Sequence, residues 1–313
     1  MDGITDLGSD VFAIDTLMGG YAGITAGYLI RGSRPCLVET GTTLSAPQVA
    51  RSLASLGIGP EDLGTIVVTH IHLDHAGGVG SIAEQFPSAQ VVVHERGARH
   101  LIDPSRLVSS ARRVFGEAMD RLFGDMLPVD SSRVTAIGET GTVDLGDGRR
   151  LDVFYAPGHA SHHVALVDSA TGDLYTGDAA GVFIPETSDL RASTPPPDFD
   201  LDAALNSLDR MRQAQPTRLL FSHFGPVTDV ATTLDRSVEE LMLWVETVRS
   251  VYAPDLPLDH AIAMVRERTL DRNAAVNADP AVALKFEELS STEANVSGVW
   301  RWLESQAANP AVS

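Results

Sequence analysis

One short stretch restricts the fold of this chain more than any other. Thr69-His70-Ile71-His72-Leu73-Asp74-His75 follows the β-branched run Thr65–Val68 and leads into Ala76-Gly77-Gly78. Side chains alternate along a strand, so His70 and His72 can share one direction. A turn must then bring Asp74 and His75 round to a neighbouring position. Imidazole nitrogen and carboxylate oxygen at this density suit zinc, and also iron or manganese. The alternative is a helix start capped by Asp74, with the histidines incidental.

The surrounding pattern alternates strand and helix. The spacing predicts strands at Val11–Asp15, Gly23–Arg31, Pro35–Glu39, Thr65–Thr69 and Val91–His94, with helices over Ala46–Leu56 and Val79–Phe86. Such alternation argues for an α/β sandwich. Residues 103–127 interrupt it. Leu107, Val108, Ala111, Val114, Phe115, Leu122, Phe123 and Met126 share one face of a helical segment, which reads as a helix on the core, a lid or a dimer face. A β-rich half follows, with strands at Thr135–Ile137, Val143–Leu145, Leu151–Ala156, His163–Asp168, Leu174–Thr176 and Leu219–Ser222, and a helix over Leu201–Gln213. The stretch from Gly181 to Asp200, with Pro195-Pro196-Pro197, reads as a long site-bordering loop. Beyond Val230 the chain reads as helical, over Leu234–Tyr252, Leu258–Leu270, Ala281–Leu289 and Ser297–Ser305. Two regions are expected: a catalytic domain over 1–230 and a helical layer over 231–313.

Composition narrows the partners. The chain has 313 residues, 43% of them hydrophobic, and a formal charge of −19. That charge disfavours nucleic acid and anionic membrane surfaces, which leaves a small-molecule substrate. Cys36 is the sole cysteine, so no intrachain disulfide forms and the chain reads as cytoplasmic. Met1-Asp2-Gly3-Ile4-Thr5-Asp6 carries two acids and no basic leader region, and Asp15, Gly19, Gly20, Gly23 and Gly27 cut the apolar stretch Val11–Ile30 into two strands and a turn. One lysine, Lys285, stands among 23 basic residues, a skew that suggests a GC-rich, bacterial genome.

Three further donors sit at strand ends: His159 in Ala156-Pro157-Gly158-His159, Asp178 in Tyr175-Thr176-Gly177-Asp178, and His223 in Ser222-His223-Phe224-Gly225-Pro226. Alone, each is an ordinary strand-end residue. In the order His70-x-His72-x-Asp74-His75, His159, Asp178, His223, they resemble the metallo-β-lactamase superfamily, and their short contexts resemble its glyoxalase II-like hydrolase branch. The resemblance covers about residues 10–230. It implies a four-layer αβ/βα sandwich with an appended C-terminal helical region. It also implies two divalent metal ions, zinc foremost. Carried over by motif, His70, His72 and His159 hold one metal, Asp74, His75 and His223 the second, and Asp178 bridges them. Asp74 and Asp178 are the acids nearest the chemistry. Two cations less these acids and a bridging hydroxide leave a small positive charge, suited to a neutral or singly anionic substrate.

Glu39 stands where that family usually has Asp, one methylene longer, and an acid there accepts the second N–H of a ligand histidine. The alternative is a solvated loop carboxylate. His163 matches a histidine of the family's Gly-His motif, with His162 in place of the glycine, and is expected to be a buried hydrogen-bonding residue. The position three residues after Asp178 is Gly181, where quorum-sensing lactonases of the family place a Tyr. The implied activity is hydrolysis of a small ester, thioester or lactone by a metal-bound hydroxide. Two other readings stay open. One is a mononuclear iron dioxygenase similar to the persulfide dioxygenases, using His70, His159 and Asp178. The other is a metal-containing binding or sensing module without turnover. A homodimer through the 103–127 face is the partner expectation.

Overall fold

The computed structural model describes residues 3–253 and 256–308. Residues 1–2, 254–255 and 309–313, which the expected leader reading and the two expected regions include, lie outside the described residues. The chain divides into two compact units. The first runs to Tyr155 and takes in His162–Gly177 and Gln215–Thr228; the second comprises Ala156–Ser161, Asp178–Ala214 and the chain from Asp229.

The first unit holds two sheets. One contains β1 (Ile4–Asp6), β2 (Val11–Asp15), β3 (Ala26–Ile30), β4 (Cys36–Val38), β5 (Thr65–Val67), β6 (Gln90–His94) and β7 (Val134–Ile137), in that spatial order. Pairing is antiparallel from β1 to β4 and parallel from β4 to β7. The other sheet contains β8 (Thr140–Gly146), β9 (Arg149–Tyr155), β10 (Val164–Asp168) and β11 (Asp173–Gly177). It continues, after two strands of the second unit (β12, Val182–Ile184, and β13, Asp189–Arg191), through β14 (Arg218–Phe221) and β15 (Gly225–Val227). β2 to β5 are buried at every residue, so they read as continuous apolar runs rather than alternating ones.

The sheets share one core, in which Val11, Tyr28, Val38 and Val67 meet Leu151, Val164, Tyr175 and Leu220. Tyr28 packs edge-on to Tyr175 at 5.4 Å and donates to the Phe221 carbonyl at 2.5 Å. The helices Ala46–Ser55 and Val79–Gln85 bury Val49, Leu53, Ile82 and Ala83. This is the mixed α/β sandwich expected from the sequence, with a C-terminal helical region.

The 103–127 segment departs from one of its expectations. It is two helices, Ser105–Phe115 and Ala118–Leu122, broken at Gly116, whose φ is +53°. No residue of the first helix is buried, and Val114 is 67% exposed, so this is not a core helix. Ser109, Ser110, Arg112 and Arg113 cut its apolar stripe too narrow to bury. The segment's apolar content goes inside only at Met119, Leu122, Phe123 and Met126.

The second unit is mainly helical. Its long helix Val230–Val251 buries Leu234, Leu241, Trp244 and Val248. The helices Leu258–Arg268, Pro280–Leu289 and Thr292–Ala308 follow, and Thr194 is tied to the last of these through Asn295. The stretch expected as a loop over 181–200 carries the antiparallel pair β12–β13. Among the described residues, no helix is long and apolar enough to cross a membrane.

Candidate metal centre

The centre in the first unit forms where the parallel strands β4 and β5 end. β5 ends at Val67, and His72 is extended (φ −61°, ψ 150°) before a single helical turn, Leu73–Ala76. The loop after β4 clamps that turn. Thr40 donates to the His75 carbonyl from both its N–H and its hydroxyl, each at 2.9 Å. Gly77 and Gly78 are required there. A Cβ on Gly77 would lie 2.3 Å from the Leu73 carbonyl oxygen, and one on Gly78 2.9 Å from that of Thr42.

Five of the expected donors converge here. Asp74 Oδ2 lies 3.4 Å from His75 Nε2 and 3.2 Å from His223 Nε2, and those two nitrogens are 3.2 Å apart. His70 Nε2 lies 3.1 Å from His72 Nδ1. His70 and His75 are themselves neighbours, with ring centroids 4.0 Å apart.

The far sides of the rings decide what the near sides offer. His223 Nδ1 faces the Ile24 carbonyl at 3.0 Å. A carbonyl only accepts, so that nitrogen carries the proton and the neutral ring presents an Nε2 lone pair. His75 Nδ1 lies 2.6 Å from Glu39 Oε2, with the same consequence. Two lone pairs and a carboxylate oxygen therefore face one another, an arrangement that repels itself without a cation. For metal–nitrogen bonds of 2.0–2.1 Å, a tetrahedron has edges of roughly 3.3 Å. The three observed separations match that edge, so the donor set fits a zinc-like ion. Burial raises the Asp74 pKa; only where His75 and His223 are instead protonated do their charges and hydrogen bonds outweigh it and hold the carboxyl well below the usual range.

Glu39 is buried, not a solvated loop carboxylate. Its Oε1 accepts the Thr69 N–H at 2.6 Å while Oε2 faces His75, and its own φ is +65°, a left-handed conformation unusual for a side chain with Cβ. His163 is fully buried and stacks on His70, with centroids 4.8 Å apart.

The second unit holds the remaining two expected donors as a pair. His159 Nε2 lies 3.6 Å from Asp178 Oδ2. Ser193 joins them: its carbonyl lies 3.1 Å from His159 Nδ1 and its hydroxyl donates to Asp178 Oδ2 at 3.2 Å. His159 follows Gly158, whose φ is +123° and whose added Cβ would lie 2.3 Å from the backbone of Ala204.

Sequence reasoning missed Thr69, Ile24 and Ser193. Thr69 Oγ1 lies 3.0 Å from His70 Nδ1, and its place beside His70 was a usable signal. Ile24 and Ser193 act mainly through backbone carbonyls, which residue identity does not reveal. His94 caps the helix Glu95–Ile102 and stacks on Tyr155 at 4.6 Å.

Comparison with known proteins decides the family. The model of the metallo-beta-lactamase superfamily matches residues 20–223. The chain belongs to the metallo-beta-lactamase superfamily. Members bind divalent metals through His and Asp residues. Among superfamily relatives, the chain is 31% identical over 194 residues to metallo-beta-lactamase fold-containing protein ST1585 of Sulfurisphaera tokodaii, covering 61% of this chain and 71% of that one. It is 29% identical over 218 residues to a hydroxyacylglutathione hydrolase of Synechococcus, covering 68% and 70%. It is 31% identical over 168 residues to acyl-coenzyme A thioesterase MBLAC2 of Gallus gallus, covering 48% and 56%. The hydroxyacylglutathione hydrolase likeness supports the glyoxalase II-like branch in part. Among solved structures, the ST1585 protein from Sulfolobus tokodaii superposes with a TM-score of 0.69 at 21% identity, covering 93% of this chain and 98% of that one. The chemotaxis sensor ODP, solved as a peroxy diiron species, gives 0.53 at 16% identity, covering 75% and 93%. At these identities the superpositions speak for the fold alone.

Proposed function

We propose that the chain is a dinuclear metal-dependent hydrolase of a small ester, thioester or lactone. The observation that carries this is the triangle of Asp74 Oδ2, His75 Nε2 and His223 Nε2, with edges of 3.2 to 3.4 Å and both imidazoles turned lone pair inward. In this reading His70, His72 and His159 hold one ion, Asp74, His75 and His223 the other, and Asp178 bridges. Zinc suits the donors best, with iron and manganese also compatible. Bound cations would lower the pKa of water toward neutrality and polarise the acyl carbonyl. The chain's own part is orientation and proton handling. Glu39 and the Ile24 carbonyl hold two rings in one tautomer. Asp74 orients the attacking water through its carboxylate. The relatives named as a thioesterase and a hydroxyacylglutathione hydrolase support the acyl-transfer class.

His72→Ala and Asp178→Ala are each expected to remove metal and turnover together in a panel of esters, thioesters and lactones. Unchanged hydrolysis by a metal-free preparation would contradict the proposal. The second reading is a mononuclear iron dioxygenase of the persulfide dioxygenase type, in which His70, His159 and Asp178 would hold the iron. Iron retention with oxygen uptake and no hydrolysis would select it. The substrate is a small molecule in either case. The exposed face of Ser105–Phe115 is the proposed surface for a homodimer, and the cytoplasm the proposed compartment.

A further inference from the structure

Asp15 bonds the residue next to Ile24, whose carbonyl faces His223 Nδ1, and its geometry goes beyond the ligand set. The β2–β3 ladder ends at the pair Asp15↔Ala26. The chain from Thr16 to Thr25 is therefore a strap outside the sheet. Four of its residues have left-handed φ: Leu17 (+52°), Gly19 (+61°), Gly20 (+83°) and Gly23 (+70°). Its one regular piece is a 3-10 turn, Met18–Gly20, with the Gly20 N–H on the Leu17 carbonyl at 2.9 Å and the Tyr21 N–H on the Met18 carbonyl at 3.0 Å. The Asp15 carboxylate closes the strap, accepting the Leu17 N–H on Oδ1 at 2.9 Å and the Gly23 N–H on Oδ2 at 2.8 Å. Asp15 is 6% exposed, and both its oxygens are needed as acceptors, which a neutral amide cannot supply. Immediately after the Gly23 anchor comes Ile24, whose carbonyl faces His223 Nδ1. On the other side, the Thr25 carbonyl accepts the Thr16 N–H and hydroxyl. The Ile24 carbonyl is thus pinned from both flanks.

We propose that Asp15 is a positioning residue for the His223 side of the centre. By clamping the strap it aims the Ile24 carbonyl at His223 Nδ1, and so fixes the ring with its Nε2 lone pair toward Asp74 and His75. The proposal rests on the metal-centre reading, but its first test does not need a metal. In the metal-free full chain labelled with ¹⁵N-histidine, long-range proton–nitrogen correlation reports which ring nitrogen is protonated. At a pH high enough to keep the metal-free ring neutral, His223 is expected to be a single Nδ1–H tautomer in the wild type and a mixture in Asp15→Ala, with His70 unchanged. Titration with Zn(II) against a chelator should then show one equivalent weakened about tenfold in Asp15→Ala, the low end of the range for outer partners of metal ligands, and the other within about twofold. Asp15→Asn, which keeps the shape and one acceptor, should fall between and carries the test should the alanine variant not fold. An unchanged His223 tautomer, or equal weakening of both equivalents, would overturn the role of Asp15. A wild type that takes up no Zn(II) would instead overturn the metal reading and leave the tautomer result to decide Asp15.

Discussion

Glu39→Gln probes the link between a buried carboxylate and the direction of a histidine lone pair. The change is nearly isosteric. Glu39 accepts the Thr69 N–H on one oxygen and faces His75 Nδ1 with the other, both at 2.6 Å. A glutamine has one acceptor oxygen. If that oxygen keeps Thr69, the amide nitrogen faces His75 Nδ1 as a donor and drives the ring proton to Nε2. His75 then points an N–H at Asp74 and His223 in place of a lone pair. If the amide flips, two donors meet at Thr69, and the unmet buried N–H costs about 1–3 kcal/mol of stability. In the first orientation metal affinity should fall by roughly 10–100-fold, or about 1.4–2.7 kcal/mol; in the second the loss appears as stability. Chelator competition with Zn(II) measures it, with thermal unfolding to confirm the fold. Wild-type affinity together with wild-type stability in Glu39→Gln would refute the tautomer argument.

Other substitutions separate packing from chemistry. Gly158→Ala places a Cβ 2.3 Å from the Ala204 backbone at a φ of +123°, and should destabilise by more than about 2 kcal/mol, read as a lowered melting temperature. Val114→Ser, on the exposed helix, should change stability by less than about 0.5 kcal/mol, whereas Leu53→Ala in the core should cost about 2–5 kcal/mol; comparable urea midpoints for the two would refute the burial assignment. Burial pushes the His94 pKa below its usual value of about 6.5. The unfolded chain therefore takes up that proton first as pH falls, and stability drops from about pH 6.5 down to the folded value. His94→Asn keeps a helix cap without the titration, so it should lose less stability than the wild type between pH 7 and 5.5; parallel urea midpoint curves would count against this.

Much of this was legible in the residues. The buried strands β2 to β5 announce themselves as short, largely apolar runs, and the helix Leu201–Gln213 falls where its period places it. The HxHxDH stretch is local, so its convergence needs only one turn after a strand. Periodicity misled at Ser105–Phe115, because a stripe of apolar positions says which face is apolar but not whether anything covers it. The short strands Ile4–Asp6 and Gly225–Val227 carry too few residues to show a period. What holds the donors was hardest to read. The Ile24 carbonyl and the left-handed φ of Glu39 are backbone facts, and they arise from a pairing 199 residues apart in sequence and from a loop clamp.

Metal counting on the loaded, desalted full chain tests the central claim most directly. Inductively coupled plasma mass spectrometry should find two divalent transition-metal ions per wild-type chain and one in His223→Ala. Failure of the wild type to retain any ion, or an unchanged count in His223→Ala, would contradict a centre built from these donors.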